Sequence, residues 1–192
     1  MTEKEKMLAG KLYSAEDAEL SALRRKARNL CWQYNKTNED QKQLRCSILN
    51  ELIGSKGKNP NIKPSFHCDY GFNISVGDNF YANYDCIILD VAPVTIGHNV
   101  MFGPRVCIYA AGHPLDPEIR VSGLEYGKSV SIGDNVWIGG NTVINPGVTI
   151  GNNVVIGSGS VVTKDIPDNV IAVGNPCRVL RPISENDKYN WA

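Results

Sequence analysis

The chain has 192 residues, and its 20 lysines and arginines balance its 20 aspartates and glutamates. A chain with no excess positive charge is poorly suited to bind nucleic acid or an anionic membrane surface. The first residues contain no apolar core of a signal peptide, and no apolar run is long enough to span a bilayer. We therefore expect one cytoplasmic domain with a short appendage.

The six cysteines lie far apart, with neither a CxxC pair nor the Cys and His spacing of a zinc site. A disulfide framework is not expected in a cytoplasmic chain of this length. We expect most of the cysteines to be small buried hydrophobic residues, and we expect no metal site.

Residues 1–58 are predicted to form a helical segment. Ser14 followed by Asp17 resembles a capping box, and an apolar stripe at helical spacing follows at Leu20, Leu23, Ala27, Leu30, Cys31 and Tyr34. A second helix is predicted between Asn38 and Ile53, where the same period includes Leu44, Ile48, Leu49 and Leu52. Gly54 ends it, and residues 54–64, which are rich in Gly, Pro, Asn and Lys, predict a loop.

Residues 59–192 are predicted to form a coil, because the hydrophobic period changes to six. The unbroken run is Ile132, Ile138, Ile144, Ile150, Ile156 and Val162. The residue two positions before each of these points to the same side, because alternate residues of a strand do so, and that side must be the interior. Gly with Asp or Asn often follows, as in residues 133–135, and such residues turn a backbone through positive φ. Each hexad is therefore one short inward-packing strand and one corner.

The repeat extends backward from this run. Ile96, Phe102 and Ile108 keep its phase, whereas Val76, Ala82 and Ile88 lie two residues out of phase, because two extra residues stand near position 92. Residues 112–128 lack the pattern and predict a projecting loop, across which the phase survives. Three hexads per turn give roughly four to five stacked coils. The alternative, an antiparallel β-sandwich, has no reason to repeat every six residues.

The outward residues sort into three faces, because every third hexad returns to the same side. Two faces are apolar, with Tyr81, Met101, Trp137 and Val155 on one and Ile87, Cys107, Val143 and Val161 on the other. The third and more polar face is assigned His113, Thr149 and Pro167. Two exposed apolar stripes predict an oligomer, and a closed ring of three chains would bury both. In the alternative, the N-terminal helices cover one stripe.

Several segments carry a family resemblance: MTEKEKMLAGKLY at the start, CDYGFNI at 68–74, FYANYDC at 80–86, LDVAPVTIG at 89–97, GHPLDP at 112–117, and the hexads from VSIGDNVWIGG to GNPCRV. Over nearly its whole length the chain resembles the maltose and galactoside O-acetyltransferases. The resemblance implies a mainly β fold, a single-stranded left-handed parallel β-helix with an N-terminal α-helical segment. It also implies a homotrimer with active sites between chains, acetyl-coenzyme A as donor, and a sugar such as maltose or glucose as acceptor.

The histidines are the candidates for a general base, because acetyl transfer to a hydroxyl requires removal of its proton and His titrates near neutral pH. His98 replaces a corner residue and His67 precedes the coil, so both are predicted to be structural or surface residues. His113 stands where the repeat breaks. From the residues alone it is equally a plain loop histidine, and the resemblance implies that it is the base.

The resemblance also implies a set of acceptor-binding residues. Asn83 would position the acceptor and stabilise the oxyanion, while Asp69 and Asp90 are at or beside acceptor contacts. Asp17 and Arg24 would contribute from the first helix. From the residues alone, Asn83 is interpreted as a turn asparagine in a corner, Asp69 and Asp90 are equally corner residues, and Asp17 is equally a capping residue. The sequence around Asp90 departs from the pattern of the galactoside enzymes.

For coenzyme A, the resemblance implies the outside of the late coils and the C-terminal exit, at Gly140, Ser158, Thr163, Lys164, Arg178 and Arg181. Backbone amides and a hydroxyl suit the pantetheine arm, and cationic side chains suit phosphates. The alternative for each Lys or Arg is a solvated surface charge. Trp137 would border the thioester channel or pack between subunits.

Two other functions are compatible with such a repeat. A hexapeptide β-helix can be a zinc carbonic anhydrase, but the positions of the three histidines do not resemble that metal site. A non-catalytic trimeric scaffold is the second alternative, since a fold does not fix a function. Among acetyltransferases, a galactoside, serine or an antibiotic is the alternative acceptor, and the MLAGKLY segment favours a sugar.

Overall fold

Three helices open the chain in the computed structural model, which describes residues 1–189: α1 Glu3–Leu8, α2 Ala18–Asn35 and α3 Lys42–Leu52. The predicted stripe of α2 is buried except at Leu23, which is half-buried, whereas Leu44 of α3 is exposed, contrary to the prediction. The capping box predicted at Ser14 is wrong, because Asp17 itself caps α2 by accepting the N–H groups of Glu19 and Leu20 at 3.0 and 3.1 Å. Within residues 1–189, no helix combines the length and apolarity needed to cross a membrane.

The strands after α3, numbered along the chain, wind into a parallel β-helix with three faces. The first face contains β2 Ser55–Lys56, β5 Ile74–Val76, β8 Val94–Ile96, β13 Val130–Ile132 and β16 Thr149–Ile150. The second contains β3 Asn61–Ile62, β6 Tyr81–Ala82, β9 Met101–Phe102, β14 Trp137–Ile138, β17 Val155–Ile156 and β19 Val170–Val173, with β20 Arg178–Pro182 added antiparallel. The third contains β4 Phe66–Cys68, β7 Cys86–Leu89, β10 Cys107–Tyr109, β15 Val143–Ile144 and β18 Val161–Val162.

The segment predicted as a loop at 112–128 is partly regular. The strands β11 Ala111–Gly112 and β12 Leu124–Gly127 pair antiparallel, and β1 Tyr13–Ser14 adds to β12. The short helix α4 Pro117–Val121 lies between β11 and β12, and Asp116 caps it by accepting the N–H of Ile119. A 3₁₀ turn at Glu185–Lys188 follows the coil. The projecting segment is therefore a hairpin that ties the N-terminus to the coil.

The length of a coil changes along the helix while the inward phase is kept. Tyr81 pairs with Met101 and Met101 with Trp137, so 20 and then 36 positions separate the partners. Trp137 then pairs with Val155, 18 positions later. The projecting hairpin thus adds the length of one coil of 18 residues, and this is why the phase survives across it, as predicted.

The two apolar faces contain the predicted residues, whereas Thr149 lies on the polar face as predicted but His113 and Pro167 do not. Ser131 of the first face pairs with Thr95 and with Thr149, so Thr95 occupies the place predicted for His113. The chain has already left the coil at that point to form the hairpin. Ile150 bridges to Ile166, which makes the last turn of the first face two residues shorter and excludes Pro167 from its predicted place.

One continuous core runs from the helices to the last coil. The inward pairs of the hexads are buried, and buried residues of α2 and α3 belong to the same cluster. The helices close the open N-terminal end of the coil, where α2 packs on β4. Met101 and Trp137 remain 51% and 52% exposed, so the helices do not cover the apolar stripe of the second face. The domain division at residue 58 stays a prediction.

A ladder of asparagines follows the corner between the first and second faces. Its members share a positive φ of 53° to 60° and are Asn59, Asn79, Asn99, Asn135, Asn153 and Asn169. Asn135 Nδ2 donates to Asn153 Oδ1 at 3.1 Å, and the other neighbours are joined in the same way. Of the corner residues predicted to turn the backbone through positive φ, Asn135 does so and Gly133 does not. Gly133 is instead needed because a Cβ there would lie 2.8 Å from the Gly151 carbonyl carbon.

We expect Asn135→Ala to lower the free energy of unfolding by about 1–3 kcal/mol, because it strains a left-handed residue and removes two ladder hydrogen bonds. Asn135→Gly keeps the conformation accessible and should cost less. Urea unfolding at one protein concentration measures both. Equal midpoints for Asn135→Ala and the parent protein would contradict a structural role for the ladder.

Candidate active site

A cavity of about 350 Å³ lies where α2, the chain after β4 and the β11–β12 hairpin meet. It is lined by Ala15, Arg24, Arg28, Asp69, Tyr70, Leu89, Val91, Ala111, His113 and Glu125. Its volume is within the range of small-molecule sites. The fold therefore brings together three of the predicted site residues that are far apart in sequence, Arg24, Asp69 and His113.

The hairpin determines where His113 stands. Gly112 pairs with Tyr126, and a Cβ at position 112 would lie 2.7 Å from the ring of that tyrosine. Only Gly allows this ring to pack against the strand immediately before His113. The imidazole is exposed at the root of the hairpin, where a ligand can reach it.

Arg24 is held on α2 by several acceptors. Nη1 donates to the Tyr70 hydroxyl at 2.7 Å, and Nη2 donates to Ser21 Oγ at 3.2 Å and to the Ala15 carbonyl. The guanidinium carbon also lies 5.7 Å from the centre of the Tyr70 ring. These contacts fix the charge of Arg24 at the cavity wall.

The cavity contains a balanced set of charges. Burial raises the pKa of the Asp69 carboxyl, and the Glu125 carboxylate adds to the rise, while the guanidinium groups of Arg24 and Arg28 oppose it. Carboxylates accept hydrogen bonds from hydroxyl groups, and guanidinium groups donate hydrogen bonds to hydroxyl oxygens. Together they suit a ligand with several hydroxyls.

Glu125, Tyr70 and Arg28 are lining residues that the sequence analysis missed. Glu125 lies in the segment without periodicity, and it accepts a hydrogen bond from the Tyr13 hydroxyl at 2.9 Å. Only the pairing of β1 with β12 brings these two residues together. Arg28 follows Arg24 by one helical turn, and this spacing would have found it.

Asp90 lies beneath the cavity rather than on its wall. Its carboxylate is fully buried and accepts the backbone N–H groups of Asp69, Tyr70 and Asn73 at 3.1, 2.8 and 3.3 Å. This carboxylate holds the turn that presents Asp69. The carboxylate of Asp90 exposes no oxygen to the cavity.

Burial raises the pKa of Asp90 to about 7, although the backbone N–H donors oppose the rise. In the unfolded chain the value is about 3.9, so the folded state retains a proton that the unfolded state has lost. The contribution of Asp90 to stability should therefore be greatest below about pH 4 and decline as the pH rises to about 7.

Asp90→Asn should flatten this part of the pH dependence, and urea unfolding between pH 4 and pH 8 measures the slope. Asp40→Asn, at an exposed position, is the matched control. If the parent protein and Asp90→Asn show the same slope, the assigned titration is wrong.

Two predicted acceptor residues lie away from the cavity lining. The Asp17 carboxylate caps α2. Asn83 lies after β6, at the edge where the second face turns into the third, and its Oδ1 accepts the Tyr84 N–H at 2.8 Å. Within residues 1–189, no acceptor is recorded for its Nδ2, which stays available as a donor. His113 follows β10 at the opposite edge of the third face.

Four of the residues predicted for coenzyme A are divided between the same two edges. Gly140 and Ser158 stack in the corner above Asn83, whereas Thr163 and Lys164 follow β18 at the edge nearer His113. The remaining three are associated with the second face, where Trp137 points outward from β14 and Arg178 and Arg181 lie on β20. Arg181 forms two hydrogen bonds with Asp187, at 2.8 and 2.6 Å.

The other candidate features lie elsewhere. A larger cavity, of about 710 Å³ between α3 and the first coil, contains none of the predicted site residues. His67 points outward from β4, and His98 Nδ1 accepts the Asp78 N–H at 3.0 Å in a corner. Within residues 1–189, no three His, Cys, Asp or Glu side chains come together as ligands for a metal ion.

Comparisons with known proteins identify the family. The profile described as "Maltose acetyltransferase hexapeptide capping motif" matches residues 6–57, and "Bacterial transferase hexapeptide (six repeats)" matches residues 129–164. The structure of a maltose O-acetyltransferase from Clostridium difficile 630 is 58% identical, with a TM-score of 0.95 over 96% of this chain and 99% of that one. This chain belongs to the maltose and galactoside O-acetyltransferase family.

Other members of this family are similarly close. A galactoside acetyltransferase in complex with coenzyme A is 43% identical, with a TM-score of 0.96 over 100% of this chain and 96% of that one. Nodulation protein L of Rhizobium meliloti is 51% identical over 93% of this chain and 97% of its own length. The chain is therefore an acyltransferase, and the fold and the family resemblance predicted from the sequence are confirmed.

Proposed function

We propose that this acetyltransferase transfers the acetyl group of acetyl-coenzyme A to a hydroxyl of a sugar such as maltose or glucose. The cavity carries the proposal, because it places His113 beside two carboxylates and two guanidinium groups. Coenzyme A in the solved galactoside acetyltransferase supports the donor. A sugar ring offers several hydroxyls to such a wall, and one of them would face the imidazole.

His113 is the general base of the proposed reaction. Its imidazole removes the proton of the acceptor hydroxyl while the oxygen attacks the thioester carbonyl. A tetrahedral oxyanion forms, and its collapse breaks the carbon–sulfur bond and releases coenzyme A, whose thiolate takes the proton back from the imidazole. Transfer is direct, in a complex that holds donor and acceptor together.

Asn83 would act on the site of a neighbouring chain. Its free Nδ2 is suited to stabilise the oxyanion. In one chain, however, Asn83 and His113 stand at opposite edges of the third face. A head-to-tail ring brings one edge of each chain against the other edge of the next, and a ring of three buries the apolar stripes between them. We therefore infer a homotrimer with one site at each interface.

The acetyl-coenzyme A site would lie along the same interface. Gly140, Ser158 and Thr163 offer backbone amides and hydroxyls to the pantetheine arm, and Lys164 and Arg178 offer cations to the phosphates. Arg181 would also offer a cation to a phosphate, but the phosphate would compete with the Asp187 carboxylate for its guanidinium group. Trp137 is suited to border the thioester, at the outer surface of β14.

A panel assay of coenzyme A release tests the function, with maltose, glucose, a galactoside, serine and a hydroxylated antibiotic as acceptors. We expect the highest kcat/KM with maltose or glucose. Faster release with serine or the antibiotic would overturn the proposed acceptor. The absence of coenzyme A release with every acceptor of the panel would favour a non-catalytic scaffold over the proposed enzyme.

A further inference from the structure

Two cysteines from distant parts of the chain approach each other beside the active-site cavity. Cys31 of α2 and Cys68 of β4 have their Sγ atoms 3.7 Å apart. Both side chains are nearly buried, at 2% and 7% exposure. A disulfide has an S–S length of about 2.05 Å, so a shortening of roughly 1.6 Å would be enough to join them.

A second cavity opens onto this pair. It measures about 480 Å³ and is lined by Arg28, Cys31, Trp32, Asn35, Lys36, Ser65, His67 and Cys68. A small solute can therefore reach both thiols although they are largely buried. Arg28 and Lys36 contribute two cationic side chains to the wall, and positive charge favours the reactive thiolate.

The two thiols differ in their hydrogen bonding. Either thiol can donate the hydrogen bond that joins them. This interaction lowers the pKa of Cys31 and, together with burial, raises the pKa of Cys68. In such a pair, Cys31 is suited to attack an oxidant and Cys68 is suited to act as the resolving thiol.

The pair is connected to the acceptor cavity through the backbone and through one side chain. Cys68 directly precedes Asp69, whose N–H is held by the buried carboxylate of Asp90. Arg28 lines both cavities. A covalent bond that draws Cys68 towards α2 must therefore act on the position of Asp69.

We propose that Cys31 and Cys68 form an oxidation site, at which a peroxide converts the two thiols to a disulfide and thereby weakens binding of the acceptor. The second part rests on the proposed function, because it requires Asp69 and Arg28 to contact the acceptor. Neither cysteine is needed for acetyl transfer itself.

The oxidation is a two-electron step in which the peroxide is reduced. The Cys31 thiolate attacks one oxygen of hydrogen peroxide, and the O–O bond breaks to give a sulfenic acid and hydroxide. The proton released when the Cys31 thiol ionised converts this hydroxide to water. The Cys68 sulfur then attacks the sulfenic sulfur, the S–O bond breaks, and the departing hydroxide takes the thiol proton to form a second water. Two thiols and one peroxide yield one disulfide and two waters.

The site is tested on the full-length protein with hydrogen peroxide at a small molar excess. We expect two thiols per chain to be lost, and mass spectrometry of an unreduced digest should find a peptide pair joining Cys31 to Cys68. Cys31→Ser and Cys68→Ser should each lose this product. Cys46→Ser, which removes an exposed thiol, is the matched control and should retain it. Oxidation without this linked pair would overturn the site.

The effect on the acceptor is tested separately by kinetics. Oxidised protein should show a several-fold rise in KM for the sugar with little change in KM for acetyl-coenzyme A, and dithiothreitol should reverse it. Unchanged sugar KM in the disulfide form would overturn the link to the acceptor site. The thiol count is independent of turnover, so it decides the first part even if no sugar is acetylated.

Discussion

We expect His113→Ala to lower kcat by about 10²- to 10⁴-fold, the range typical for loss of a general base. The imidazole is exposed at the root of the hairpin, so its removal leaves no cavity in the core. Stability should therefore change little, because exposed substitutions away from caps and networks are usually within about 0.5 kcal/mol. Coenzyme A release with the best acceptor of the panel measures the rate.

The other two histidines provide matched controls for this variant. His67→Ala and His98→Ala remove exposed imidazoles from the β4 surface and from a corner, and neither lines the active-site cavity. Both should keep nearly the parent rate. If His113→Ala retains a rate comparable with these controls, the assignment of the base fails.

The second large effect concerns stability. Phe102→Ala should lower the free energy of unfolding by about 3–5 kcal/mol, as expected for an aromatic residue removed from a packed core. Phe102 is 1% exposed, and its ring stands edge-on to Phe80 with centroids 5.1 Å apart. It lies in the middle of the coil, so the cavity left behind cannot open to solvent.

Urea unfolding at a fixed protein concentration measures this change, because the proposed assembly would make the midpoint depend on concentration. Leu115→Ala is the control, since Leu115 is 93% exposed in the hairpin. A midpoint for Phe102→Ala close to that of Leu115→Ala would contradict the packing described for the coil.

The interior of the coil could be predicted from the sequence because its period is fixed by geometry. Each hexad supplies one strand, and the inward residues of successive hexads must meet, so Ile132 and its equivalents are buried as predicted. The apolar stripes followed from the same counting. Once the inward phase was known, the residue between each inward pair had to point outward.

The same counting misplaced His113. The hairpin happens to add as many residues as one coil, so the numerical phase continues through a segment that has left the coil. The sequence also left open which residue of each corner takes the positive φ. Asn135 adopts the positive φ, while Gly133 makes room for the next coil, and a single sequence does not distinguish these two needs.

Other features could not be predicted from the sequence, for a different reason. Glu125 and the Cys31–Cys68 pair depend on contacts between segments that share no periodicity, and only the assembled fold brings them together. The separation of Asn83 from His113 is likewise a property of the folded chain. It is this separation that makes the neighbouring subunit necessary to the proposed mechanism.

The most direct test of the shared site is to mix two inactive variants. Differently tagged His113→Ala and Asn83→Ala chains would be unfolded together, refolded and purified through both tags, so that mixed oligomers are confirmed. If each site takes His113 from one chain and Asn83 from the next, every mixed trimer contains one complete site, so about one third of the sites are restored. Activity should then rise well above that of either variant refolded alone. Confirmed mixed oligomers that remain as inactive as the separate variants would contradict the account.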